Sequence, residues 1–558
     1  MTGAARICGD VVVGGEASGP LVYSTVPLSF WGGVDPETGR VIDQHHPLKG
    51  RSLTGCVLAV PTSRGSCSGS GVVLELVLNG CGPSAILLER PEAIISLGVI
   101  VAEEMFGQSI PVRILGPDGF AALCNVDHVS LEPAHKKQGA QIALSDHDRA
   151  IEAGEHGEAA RIAMQIVLRL AALEGARELL DVTQAHIDGC IYTGPGGLAF
   201  AERLKELGGK VAVPTTLNAI SVDQRRWREQ GVDEAFGSAA SRLADAYVAM
   251  GAQPSFTCAP YVLQTAPKRD EQIVWAESNA VVYANSVLGA RTMKYPDYLD
   301  ICIALTGRAP KAGCHLDSGR QPQLHVQVPE LKGLDDSFYP LLGYLIGSIA
   351  TDEIPLIEGL ERAMPSSDDL KAFGAAFATS SAAPMFHVAG VTPEAMEPAA
   401  FAALSLKTVQ ITIDDLRAAW DELNGAAIGP VDLVSLGNPH FSLSEIAALA
   451  KICEDRKTAA TSSIIVTCGR AVLDEAIAAG HVAELESFGV SFVTDTCWCM
   501  IGEPIIPPAA RVIMTNSGKY AHYGPGLSGR DMRFGSLADC VEAAVTGECR
   551  GHLPGYLS

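Results

Sequence analysis

The segment PTSRGSCSGSG, Pro61 to Gly71, sets Arg64, Gly65 and Ser66 on a glycine-rich loop just after an apolar run. A hydroxyl on so flexible a backbone, beside a cation, is a candidate proton acceptor, although serine is a poor base unless a charge or amide donors lower its pKa. The plain alternative is a turn serine. No GxSxG elbow points to a hydrolase triad, and no Walker-type loop points to nucleotide chemistry. Far downstream, Cys258 in SFTCAPYV and Cys497 in SFVTDTCWC offer thiolates, which suit iron or zinc unless they are packed core thiols. Cys497 and Cys499 are separated by one residue, unlike the two-residue spacing of zinc ribbons and redox motifs. Glu277, followed by Ser278, lies among apolar residues in WAESNAVVYANSVLGART, where an unpaired carboxylate is costly. It therefore binds a cation, moves a proton, caps a helix or joins an internal ion pair. Lys519, in TNSGKYAHYGPG, offers an ammonium and nearby amides to a carboxylate or phosphate. GPGG at Gly194 to Gly197 reads as a turn.

The elements that must position these groups follow from apolar patterning. From about residue 8 to 130 the chain alternates short apolar runs with turns. CVLAVP, VVLELVL (Val72 to Leu78), AILLE and IPVRILG all read as strands, with helix between Glu92 and Phe106. This predicts a small β-rich domain over 1–134. The polar stretch that follows reads as a linker over 135–148, ahead of a large domain over 149–558. Ser145 or Asp146 can cap a helix, and Ile162, Ile166, Leu170 and Leu173 then recur at helical spacing. Further on, strand-like and helical runs alternate, which predicts several α/β layers with ligand groups on loops beyond the carboxyl ends of strands. Asn438, Cys468 and Cys497 each follow an apolar run in this way.

With 558 residues, 47% hydrophobic and 19% charged, the chain is long enough for several cores. A net charge of -23 argues against nucleic acid and anionic membranes as partners, because phosphate binding needs clustered Lys and Arg. The expected partner is a small molecule, and the expected assembly is a monomer or small homo-oligomer. Fifteen cysteines are too sparse for a disulfide scaffold and read as reduced thiols. The chain starts without a signal-peptide pattern and has no long apolar stretch, so a cytoplasmic protein is expected.

Seven segments, in order, resemble the aconitase X family, a branch of the aconitase superfamily: QAHIDGC, PTTLNAIS, FTCAPY, WAESNAVVYANSVLGART, GNPHFS, TDTC and TNSGKYAHY. The resemblance spans essentially the whole chain. It implies a small swivelling domain carrying the RGS loop, fused ahead of an aconitase-like α/β catalytic domain. It also implies an iron-sulfur dehydratase, with an exposed iron as Lewis acid for a leaving hydroxyl and Ser66 as proton acceptor. By motif, Cys258 and Cys497 match cluster thiolates. Gly189, Cys190, Ile191, Asn218, Ser221, Glu277, Ser278 and Lys519 match substrate-contact positions. One departure stands out: a third family thiolate is replaced here by Asn438 in GNPH. An amide is a poor ligand for soft iron, so a 2Fe-2S centre or a substitute thiol is expected, with Cys499, Cys314 and Cys302 as candidates. The fused single-chain form implies cis-3-hydroxy-L-proline as substrate and Δ1-pyrroline-2-carboxylate as product, the small molecule thus being a hydroxy amino acid. Mevalonate 5-phosphate dehydration is the nearest alternative, and a non-catalytic iron-sulfur sensor is an alternative of another class.

Overall fold

Strands Ala17–Tyr23, Val57–Val60, Ala85–Leu88 and Val112–Ile114 pair in parallel at the middle of a seven-stranded sheet. Ala5–Arg6, His128–Leu131 and Asp10–Val13 complete its flanks. The structure, a computed structural model, describes residues 5–7, 9–134, 142–397, 401, 404–454, 456–457 and 462–558. The small N-terminal domain is thus built on a sheet, as expected, but one of its runs differs. Val72 to Leu78 is not a strand; it lies in a helix, Gly69–Leu78, that packs on the helix Ala93–Phe106. Every residue from Gly69 to Val77 is buried, so the apolar run has no exposed face and carries no period. Such runs are ambiguous between strand and helix, and here packing overrides the β-propensity of the valines.

Of the expected linker, 135–141 lies outside the described residues. Its end is ordered as a helix, Asp146–Glu152, because Ser145 and Asp148 form a capping box. Asp148 also accepts from the Arg308 guanidinium at 2.7 Å, tying this helix to the strand Arg308–Pro310. The helical period from Ile162 to Leu173 is realised as Glu158–Leu173.

The large region carries three parallel sheets of functional or packing interest. A three-stranded sheet has the order Thr215–Leu217, Ala185–Ile187, Val274–Trp275. A four-stranded sheet has the order His387–Val388, Pro355–Glu358, Leu324–Gln327, Lys407–Gln410. A five-stranded sheet has the order Val490–Val493, Ser463–Cys468, Leu433–Phe441, Val512–Thr515, Asp531–Phe534. The small-residue stretch from Phe373 falls in the helix Ser367–Ser380, which lies closely against Phe338–Ala350. Gly343 and Gly347 permit that approach, since a Cβ on either would strike the backbone or side chains of Phe373, Phe377 or Ser380. No helix of the described residues is long and apolar enough to cross a membrane.

Candidate active site

The carboxyl ends of three kinds of parallel strand converge on one buried space. In the three-stranded sheet, Asp188 and Asn218 directly follow their strands, and Glu277 follows Trp275 and Ala276. From the five-stranded sheet come Asn438 and His440 at the end of Leu433–Phe441 and Cys497 and Cys499 beyond Val490–Val493. Lys519 comes from the first turn of the helix Gly518–Ser528. From the N-terminal domain comes Ser66, on the loop after Val57–Val60. Strand ends are where side chains of an open α/β sheet can meet a ligand without breaking the ladder.

Ser66 is 4% exposed. Gly65 holds the loop at φ +81°, and any Cβ there would collide with the Tyr523 hydroxyl and the Ser29 side chain. Arg64 turns away from Ser66, and its guanidinium donates to Asp43 Oδ2 at 2.9 Å. The Ser66 oxygen instead accepts from the Ser68 backbone N–H at 3.3 Å and lies 3.2 Å from the Ser68 hydroxyl.

Glu277 satisfies two of the readings its sequence context left open. It caps the helix Ser278–Tyr283 through the Asn279 N–H, and its Oε1 accepts from the Lys519 ammonium at 2.8 Å. Burial pushes the Glu277 carboxyl up, but Lys519 and the Asn279 donors outweigh it and hold the group below its usual range. Asn218 Nδ2 bridges Glu277 Oε2, at 3.3 Å, and Asp188 Oδ1. Asp188 belongs to a buried carboxyl group of three with Asp297 and Asp300. Burial, then the charges of Glu277 and Asp300, raise Asp188 to about 8. Asp297 is raised well above its ordinary value, by burial and then by Asp188 and Asp300, and it shares a hydrogen bond with Asp188. Asp300 is raised to about 6 by burial, although it accepts the Asp188 and Gly189 N–H groups at 2.7 and 3.1 Å.

The remaining expected contact residues frame this space with their backbones more than with their side chains. Gly189 anchors on Asp300, and a Cβ on it would meet the Tyr247 hydroxyl at 3.2 Å. The Cys190 thiol donates to the Ile187 and Asn218 carbonyls, at 3.4 Å each. Ser221 Oγ accepts from the Tyr192 N–H at 2.9 Å. Ile191 and Ser278 are buried beside these groups.

Cys497 lies within hydrogen-bond reach of both Cys258 and Cys499. Each flanking sulfur has its own donor: the His440 N–H reaches Cys258 Sγ at 3.3 Å, and the Asn438 amide reaches Cys499 Sγ at 3.2 Å. The hydrogen bond with Cys497, with Lys519 and Asn438 behind it, outweighs burial and draws the Cys499 thiol down to about 7. Of the three substitute thiols weighed from the sequence, Cys499 joins this group. Cys302 lies inside the core helix Leu299–Thr306, and the Cys314 thiol donates to the Gly319 carbonyl at 3.4 Å. The hydrogen bonds with Cys258 and Cys499, then burial, push the Cys497 thiol well up, so the donors favour the thiolate at Cys499. Three buried thiols, two N–H donors aimed at sulfur and a neighbouring ammonium together make a sulfur-rich donor set. It fits a thiolate-held iron-sulfur group.

Sequence reasoning did not single out Ser68, Asp188, Asp297 or Asp300. The signal for Asp188 was available, since it immediately follows an apolar strand inside QAHIDGC. His45, Glu422 and His522 also bring three donor atoms within 4.8 Å of one another. The two imidazoles are stacked at 4.9 Å and 21°, so their in-plane lone pairs run side by side and do not converge. Tyr344 donates to Glu422 at 2.7 Å and bonds His522 at 2.9 Å, and His45 Nδ1 lies 3.3 Å from Glu422 Oε1, so it is His45 that makes this a polar clasp between the N-terminal domain and the rest of the chain.

Comparison with known proteins places these features in a family. Four family models match in sequence order: the aconitase X swivel domain over 6–139, first domain over 141–318, second domain over 322–421 and third domain over 431–546. Two proteins named cis-3-hydroxy-L-proline dehydratase, from Hypocrea jecorina and Pseudomonas aeruginosa, are each 55% identical to this chain. They cover 99% and 98% of it over 97% and 98% of their own lengths. The crystal structure of Thermococcus kodakaraensis aconitase X in its holo-form superposes with a TM-score of 0.65 at 30% identity, over 72% of this chain and 100% of that one.

Proposed function

This chain belongs to the aconitase X family, and from that premise we propose that it dehydrates cis-3-hydroxy-L-proline to Δ1-pyrroline-2-carboxylate, with Ser66 taking the α-proton. It is a hydro-lyase. The observation that carries the substrate assignment beyond resemblance is the buried Glu277–Lys519 pair, 2.8 Å apart beside the thiols. A zwitterionic α-amino acid carries its ammonium and carboxylate on the same α-carbon, so a carboxylate and an ammonium side by side are its complement. Lys519 gives one proton to Glu277 and keeps two for the substrate carboxylate, while Glu277 Oε2 faces the ring ammonium.

The α-proton is weakly acidic, so the developing charge must be met where it forms, on the substrate carboxylate. Lys519 meets it without reorganising, because its ion pair already fixes it in a site closed to water. Ser66 receives the proton on an oxygen held by the Ser68 N–H at the start of the helix Gly69–Leu78, where the helix end favours negative charge. The enamine left after loss of the 3-hydroxyl tautomerises to the imine product.

Cys258, Cys497 and Cys499 would hold an iron-sulfur cluster, which when bound supplies a Lewis acid for the departing hydroxyl. With Asn438 at the position of the family's third thiolate and Cys499 as the substitute thiol beside Cys258 and Cys497, the reading is a 2Fe-2S centre of about two irons per chain. Mevalonate 5-phosphate is disfavoured by the cations around the site, which are engaged. Arg64 is on Asp43, and Lys294 is on the Ala378 and Ser381 carbonyls at 3.3 and 2.9 Å. The test is anaerobically purified protein given each substrate, with imine formation read by a coupled imine reductase and iron and sulfide assayed on the same sample. Imine from cis-3-hydroxy-L-proline with about two irons per chain is expected. Turnover of mevalonate 5-phosphate alone would overturn the assignment.

A further inference from the structure

A serine can accept a proton from carbon only if its own proton has somewhere to go, and the structure provides a route. The Ser68 hydroxyl donates to Asp188 Oδ2 at 3.1 Å. With Asp188 ionised, the one proton of the Ser68 hydroxyl goes to the carboxylate, and the 3.2 Å contact between the two hydroxyls then runs from Ser66 to Ser68. The chain therefore has one direction: Ser66 to Ser68 to Asp188.

Two further observations set this apart from incidental packing. Ser68 precedes the helix Gly69–Leu78 with helical backbone angles, φ -67° and ψ -3°, so its side chain caps no backbone N–H and its hydroxyl is left for another partner. Its hydroxyl serves Asp188 instead. The contact also crosses between parts of the chain, from the N-terminal domain to the end of the strand Ala185–Ile187, and both Ser68 and Asp188 are 0% exposed. Water therefore does not compete for the proton.

We infer that Ser68 and Asp188 are a proton relay that activates Ser66, assembled only when the N-terminal domain closes on the rest of the molecule. This inference rests on the dehydratase reading above. In the step, the substrate α-C–H bond breaks and its proton goes to Ser66 Oγ. The Ser66 proton passes to Ser68 Oγ, and the Ser68 proton passes to Asp188 Oδ2. The C–H electron pair becomes the ring double bond as the 3-C–O bond breaks and hydroxide leaves. Asp188 then returns its proton to that hydroxide, giving water and restoring the starting state. Asn218, donating to Asp188 Oδ1, keeps the other oxygen turned toward Ser68. The Asp297 carboxyl, bonded to Asp188, stores the proton that the buried pair retains.

The test uses the full-length holoprotein and cis-3-hydroxy-L-proline, with wild type, Ser68→Ala, Ser68→Thr and Asp188→Asn compared at equal iron content. A wild type with no turnover would sink the dehydratase reading and the relay with it. Given an active wild type, Ser68→Ala is expected to lose about 10²-fold or more in kcat with KM nearly unchanged, and Ser68→Thr, which restores a hydroxyl, to recover most of that loss. Wild-type kcat should rise with pH through an apparent pKa near 8, the value at which Asp188 becomes free to accept, and Asp188→Asn should lack that rise. Wild-type kcat in Ser68→Ala, or an unchanged pH profile in Asp188→Asn, would overturn the relay. Loss in Ser68→Thr equal to that in Ser68→Ala, with the pH rise intact, would also overturn it by making Ser68 a packing residue.

Discussion

At the scale of single residues, the site is a set of buried charges that neutralise one another before substrate arrives. Glu277 is 3% and Lys519 6% exposed, so neither charge can be left alone at low cost. Removing one partner strands the other, at about 3–5 kcal/mol, whereas removing both leaves only shape to repair. Glu277→Gln and Lys519→Met should each lower the thermal midpoint strongly, and the double variant should lose much less than their sum in a double-mutant cycle. Additive losses would show that the pair is not coupled. Glu277 was legible as a group that needs a partner, because an acid in WAESNAVV has no other way to be buried. Its partner was not, since Lys519 lies 242 residues away and only the meeting of two sheets joins them. Asp188 was overlooked because a lone aspartate after a short strand reads equally well as a turn residue.

Among the elements, those with a clear period or cap signal are found where the sequence puts them. Glu158–Leu173, over the period of Ile162, Ile166, Leu170 and Leu173, is an example, and the helix Ala93–Phe106 is another. Val72 to Leu78 became helix because a segment buried on all sides has no pattern to read. Sequence also gave no hint that Glu75 of that helix would accept the Gly196 and Gly197 N–H groups, at 2.7 and 3.1 Å, and so cap the helix that GPGG begins. The helix Asp146–Glu152 carries a prediction of its own. Burial raises the Asp148 carboxyl, but the Arg308 and Ser145 donors outweigh it and lower the group below its ordinary value. A depressed carboxyl contributes stability that is present above the unfolded pKa, about 3.9, and fades as pH falls through the folded value. Asp148→Asn should therefore lower the unfolding midpoint at neutral pH, with the difference from wild type narrowing in the most acidic range. A constant difference across pH would mean that the ion pair contributes nothing.

Over the whole molecule, the N-terminal domain is not an appendage but one wall of the reaction space. Ser68 reaches Asp188, Glu75 caps Pro195–Glu206, and His45 stacks on His522, so three contacts around the RGS loop hold it against the rest of the chain. The expectation of a small domain ahead of a large one came from the RGS loop near the start and seven short motifs beyond it. Which strand end that loop faces was not legible, because no local pattern encodes it. On the proposed function, Ser66, carried by that domain, takes the α-proton in a site built by the others. The most direct measurement is kcat for cis-3-hydroxy-L-proline in Ser66→Ala against wild type, on samples matched for iron and sulfide. A fall of about 10²–10⁴-fold with the iron-sulfur content intact is expected. Turnover within a few-fold of wild type would contradict it.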